Sequence, residues 1–133
     1  MTIFAPHQWW TTDLIADHLE EAADTLRRLP KIYWKARLTY WPDVIKDAAA
    51  SLEEPRKRRP AAPSPQAIDR MDEVLTWLIP LSVEQRRLLW ARACGVPWRH
   101  LADMDGRSHV TLRKIWQHTL QTIAERLTKR QIA

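Results

Sequence analysis

Cysteine occurs once in the 133 residues, at Cys94. No disulfide can form within the chain, which fits a reducing compartment and makes a cytoplasmic protein the expectation. Glycine occurs only twice, so left-handed turns are scarce and helices are favoured. No apolar run approaches the roughly 20 residues that a membrane-crossing helix needs. The opening Met1-Thr-Ile-Phe-Ala lacks the basic-then-apolar order of a secretory signal. A soluble chain without a membrane role is expected.

Spaced cysteine pairs, a His-Glu-x-x-His helix and a glycine-rich phosphate loop are also missing. His109 and His118 fall on opposite faces of one predicted helix and cannot share a metal. Cys94 and His100 are separated by a predicted helix break. Ser108 directly precedes His109, and a helix cap explains that serine better than a catalytic triad does. Cys94 reads as a small core residue rather than a nucleophile. No catalytic residue, metal or cofactor is therefore assigned, and an enzyme is not the expected class.

Tryptophan, by contrast, is abundant: eight residues against a single phenylalanine. Each brings a large apolar area and one N–H donor. In so small a chain this abundance points to packing rather than to a ligand box. The net charge of +5 is unevenly placed. Residues 1–52 carry six basic side chains against seven acidic ones, whereas residues 81–133 carry ten against four. Positive charge gathered on one segment attracts phosphate and speeds encounter with nucleic acid.

Thr11 or Thr12 can cap a first helix that runs to about Leu29, where Pro30 stops it. Its stripe of Ile15, Leu19, Ala22, Leu26 and Leu29 is heptad-like but short. Packing onto the chain's own core is preferred to a coiled coil, and dimerisation through this helix stays open. Lys31–Tyr40 reads as a loop or short helix carrying Tyr33 and Trp34, with Tyr40 and Trp41 closing it. Pro42 suits the start of a helix over 43–50. Residues 51–64 read as a linker with a basic run, Arg56, Lys57, Arg58 and Arg59. That run is either a solvated linker or an arm on the DNA backbone. The domain reading is a helical region over 1–50, the linker over 51–64, and a DNA-binding domain over 65–133. Neither half has a comfortable core alone, which favours one compact unit.

Ser64-Pro65 opens the next helix, with Ile68, Met71, Leu75 and Leu78 as its buried stripe and Pro80 at its end. Ser82-Val-Glu-Gln85 is a capping box. The helix it starts carries Leu88, Leu89 and Trp90, and Gly95 can close it. Pro97 then starts a short helix, Gly106 marks a bend, and Ser108 can cap a last helix. Advancing about 100° per residue, Leu112, Ile115, Trp116, Thr119 and Ile123 share one arc of that helix. Arg113, Lys114, Gln117 and Gln121 share the opposite arc, with no carboxylate between His109 and Gln121. Arg and Lys can donate to guanine O6/N7, and Gln can bridge adenine N6/N7. Most helices have a polar face, so a solvated surface is the bland alternative.

This unit, from Leu81 to Leu127, resembles region 4 of sigma factors. Aligned on that pattern, Ala102 takes the small position of the supporting helix, Gly106 the turn and Ser108 the cap. Leu112 and Ile115 take the buried positions of the recognition helix. Two sites beside the turn that are usually apolar hold Asp105 and Arg107 here, and Met104 or Trp98 is expected to fill the space. The resemblance implies an all-α chain ending in a sigma region 4-like helix-turn-helix. Nearly the whole chain also resembles a family of bacterial and prophage-like proteins, the domain of unknown function numbered 6362. Glu20–Pro30, Trp41–Ile45, Arg59–Glu73 and Trp90–Trp98 carry that resemblance, which implies a helical, phage-type DNA-binding protein.

A sequence-specific regulator that binds double-stranded DNA is the leading expectation. Arg113, Lys114, Gln117 and Gln121 would face bases, with His109 and Val110 at the groove-entering end. Arg99, Arg107 and Ser108 would hold phosphates. One alternative is a small terminase-like packaging adaptor, which would be a homo-oligomer. Another is a sigma-like module that binds RNA polymerase or a further protein through its Trp-rich N-terminal half.

Overall fold

A computed structural model describes Phe4 and residues 9–30 and 61–132. The readings made above for 31–60, including the basic run at 56–59, lie outside the described residues. Among the described residues the chain is all helix and loop, with five helices and no strand. They are α1 (Thr12–Arg28), α2 (Pro65–Leu78), α3 (Val83–Ala93), α4 (Trp98–Asp105) and α5 (His109–Ile132). None is long and apolar enough to cross a membrane.

Local chemistry sets the helix ends. The Thr11 hydroxyl accepts from the Leu14 amide at 3.2 Å, and Ser64 accepts from Ala67 at 3.1 Å, with Pro65 in the first turn. Ser82 and Gln85 form the full reciprocal capping box. Leu29, held extended just before Pro30, ends α1. Both glycines close helices with positive φ, Gly95 at 89° and Gly106 at 88°. Beyond α3 the Val96 amide bonds to Ala91 O and the Gly95 amide to Arg92 O, each at 3.0 Å. This paired pattern needs a left-handed residue, which glycine supplies without a Cβ clash.

Two clusters of buried side chains hold the helices. The larger gathers Ile15, Leu19, Ala22, Leu26 and Leu29 from α1 and its C-cap with Met71, Val74, Trp77 and Leu78 of α2. Leu89 and Trp90 of α3, Leu120, Ile123, Ala124 and Leu127 of α5, and Phe4, Trp10, Ala23 and Leu81 also belong to it. The stripe of α1 is thus covered within the chain, against α2, α3 and α5. The smaller cluster joins Leu88 and Ala91 of α3 to Val96, Leu101 of α4 and Leu112 of α5. Trp116 packs half-buried against both. Helix α3 is therefore apolar on two sides, and α5 serves one cluster with its first turns and the other with its later ones.

One expectation shifts. Val74 and Trp77 join Met71 and Leu78 in the buried face of α2, while Ile68 and Leu75 are only half-buried. The apolar residues of that helix span about half its girth, and its partners select among them. Buried Thr25 and Thr119 donate to the carbonyls of Glu21 and Ile115, at 2.9 and 2.7 Å, which removes the penalty for burying their hydroxyls.

Trp90 has no exposed surface, so Trp90→Ala should cost about 3–5 kcal/mol in denaturant unfolding. A loss under 1 kcal/mol would mean that the larger cluster collapses around the gap. His18 lies against Phe4, Trp10 and Trp77, with ring centroids at 4.5, 5.6 and 5.9 Å. Burial lowers its pKa from the ordinary 6.5, Glu21 and Asp17 oppose that shift, and Arg70 adds to it. The unfolded chain protonates this ring more readily, so its contribution to stability is full above about pH 6.5 and is lost as pH falls toward the lowered value. Stability measured from pH 7.5 down to 5 should decline, and His18→Leu should flatten the decline. An unaltered slope in that variant would show that this ring's charge is not linked to unfolding.

Candidate nucleic-acid interface

The first turns of α5 are seated by the smaller cluster. Leu112 is buried and Ile115 half-buried, with α4 packed across them through Leu101 and Ala102. The rings of Trp98 and Trp116 meet edge to face at 5.5 Å. The Arg92 guanidinium lies 4.6 Å from the centre of the Trp98 ring and donates to Val96 O at 2.9 Å. Arg113, one turn into α5, lies 5.9 Å from the same ring. Trp98 is thus a platform between the cluster and two cations, within the range of cation–π attraction.

Gly106, Arg107 and Ser108 connect α4 to α5. The Ser108 hydroxyl accepts from the Thr111 amide at 3.3 Å, so this residue caps α5. Arg107 is drawn onto two carboxylates. Its Nε donates to Asp105 Oδ2 at 2.6 Å, its Nη2 to Asp105 Oδ1 at 3.1 Å, and a further bond joins Nη2 to Glu84 at the start of α3. The hydrogen bond from Arg107 holds the Asp105 carboxyl below the usual range, and Asp105, then Glu84, raise the pKa of Arg107. Most of its donors are thus engaged, in competition with any phosphate. Charge braces this turn where the sigma-like pattern uses apolar contacts. Of the two residues expected to fill the space, Trp98 is half-buried on the cluster, whereas Met104 is 51% exposed and does not fill it.

On the outward side of α5, His109, Val110, Arg113, Lys114, Gln117 and Gln121 are all exposed. Val110, Arg113, Lys114 and Gln117 line one shallow, open depression. Gln121 stands apart, donating to Glu125 Oε1 at 3.3 Å. Arg99 is exposed on α4. Two contributors were not legible beforehand: Glu84, which braces the turn from 23 positions away, and Arg92, which shares the Trp98 ring with Arg113. A brace between residues so far apart in the chain leaves no local pattern to read.

Two further hollows lie elsewhere. One, between α3, α4 and the start of α5, is lined by Val83, Leu88, Ala91, Leu101, Met104 and Leu112, with Arg87 and the Glu84–Arg107–Asp105 group beside them. The other, between α1 and the end of α3, includes Glu20, Asp24, Arg27, Trp90, Arg92 and Cys94. Burial pushes the Cys94 thiol up to about 12, which leaves it almost wholly un-ionised at neutral pH. Among the described residues no group of three or more His, Cys, Asp or Glu is placed to hold a metal ion.

The model of a family described as a domain of unknown function, DUF6362, matches residues 27–123. No curated protein and no solved structure matches the chain.

Cys94 is the chain's single thiol, so its reactivity reads this packing directly. At pH 8 a thiol-reactive disulfide should label the folded protein at least about tenfold more slowly than the denatured chain. Equal rates would show that the hollow beside α1 admits reagent and thiolate alike.

Proposed function

The chain belongs to the DUF6362 family, and we propose that it is a sequence-specific double-stranded DNA-binding protein, a regulator of the phage type. The observation that carries this reading is the depression on α5 formed by Val110, Arg113, Lys114 and Gln117. Three of the four side chains carry hydrogen-bond donors, all four are exposed, and no carboxylate lines the depression. The helix bearing them is capped, tied to α4 by a short turn, and seated on packed apolar side chains. A rigid mount of that kind suits base readout, which needs donors held in fixed register against the groove.

In this reading α4 and α5 act as a helix-turn-helix, with α5 entering the major groove. Arg113 and Lys114 donate to guanine and Gln117 bridges adenine, while His109 sits at the groove-entering end. Arg99 and the capped N-terminus at Ser108 hold phosphates. Arg107 acts first as the brace of the turn, because Glu84 and Asp105 already take up its donors. Gln121, bonded to Glu125, reaches bases only by giving up that bond. Basic residues in the last turn of α5, Lys129 and Arg130, have a plainer explanation in the helix dipole.

A second reading has one observation in its favour. The hollow lined by Val83 and Met104 exposes these apolar side chains away from the basic depression, and such surface suits a protein partner, RNA polymerase among them. The packaging-adaptor reading has less support, since the apolar stripe of α1, the natural seam for a ring, is buried within the chain.

Fluorescence anisotropy on random duplex and on duplex selected from a random pool, across a salt series, tests the proposal. Arg113→Ala should erase discrimination at one base position, a loss of about 1–3 kcal/mol there. Arg99→Ala should weaken all sequences alike and reduce the slope of log affinity against log salt by about 0.9. Weak binding that vanishes with salt and enriches no sequence would refute sequence-specific recognition and turn attention to the apolar hollow.

A further inference from the structure

Val110 is 51% exposed on the second position of α5. A β-branched side chain there is a poorer helix former than alanine, and half of it faces solvent. Its neighbours set it apart from the other exposed apolar residues. Trp9 precedes α1, Ile79 lies in a helix-ending turn, and Val83 and Met104 line the apolar hollow between α3 and α4. Val110 alone among them shares its depression with hydrogen-bond donors, namely Arg113, Lys114 and Gln117. The offsets of three, four and seven residues keep these side chains on one helical face.

The major groove presents one apolar projection among its acceptors and donors, the C5-methyl of thymine. A surface that combines one branched aliphatic group with adjacent cations and an amide matches that mixture. From Val110 to Gln117 the helix rises about 10 Å, the reach of about three base-pair steps. The valine and the arginine therefore reach the same base pair or adjoining ones. We propose that Val110 is a specificity determinant that packs on the C5-methyl of a thymine beside the guanine read by Arg113. The inference rests on the DNA-binding reading above and adds to it a preference for a particular methyl group.

The test uses the full chain and a duplex selected by it, in which each thymine in turn is replaced by deoxyuridine. That replacement removes the methyl group and leaves every hydrogen-bonding atom in place. At one thymine, next to the base pair at which Arg113→Ala loses discrimination, the replacement should weaken wild-type binding about fourfold, the worth of one buried methyl group. Val110→Ala should bind the thymine and uracil duplexes equally, and Val110→Ile should restore the difference. Neither variant should melt below the wild type by more than a few degrees, because the position is half exposed and alanine is the better helix former. If no uracil replacement matters, or if Val110→Ala shows the same penalty as wild type, Val110 reads no methyl group while the DNA-binding proposal stands. If no sequence is enriched at all, the DNA-binding proposal falls and this inference falls with it.

Discussion

Helix α3 is the element on which the other packing depends, because it is apolar on two sides. Leu89 and Trp90 enter the larger cluster with α1, α2 and the later turns of α5. Leu88 and Ala91 enter the smaller one with α4 and the first turns of α5. A helix with a single buried stripe would hold one of these groups and leave the other as an appendage. Sharing α3 couples them, and Trp116, packed on both clusters, strengthens the link. The outward face of α5 thus takes its position from the whole arrangement rather than from the short α4 alone.

Chain reversal on either side of α4 relies on the two glycines. Gly95 ends α3 with the paired hydrogen bonds to Ala91 and Arg92, and Gly106 ends α4 through its bond to Ala102 O at 2.9 Å. A Cβ added at either position would meet nothing within 4 Å. The requirement at both sites is therefore backbone conformation and not room. With two glycines available in the chain, their placement at these two turns shows where tight reversal matters most.

Much of this was legible in the residue order, and the legible part is local. Thr11, Ser64, Ser82 and Ser108 act on amides three residues ahead, and Pro30 acts on the residue before it, so short windows reveal them. The stripe of α1 was readable because its other faces are polar. The buried face of α2 was less so, since Ile68, Met71, Val74, Leu75, Trp77 and Leu78 span about half its girth and the neighbouring helices choose among them. The bond between Arg107 and Glu84 was equally hidden. Its reading as a phosphate holder came from charge and position alone, and neither reveals a carboxylate brought in from another helix. On α5 the separation of faces was readable, whereas the platform that Trp98 makes for Arg113 required the tertiary contact.

The brace of Arg107 on Asp105 and Glu84 gives the turn an unusual sensitivity. Apolar contacts hold a bend almost independently of the electrolyte around it, but exposed ion pairs weaken as salt rises. For a chain that binds DNA as proposed, the same mobile ions would compete at the phosphates and at the strap behind the recognition helix. The medium would then tune grip and geometry together, and a crowd of counterions near a polyanion would itself influence how firmly the reading head is held.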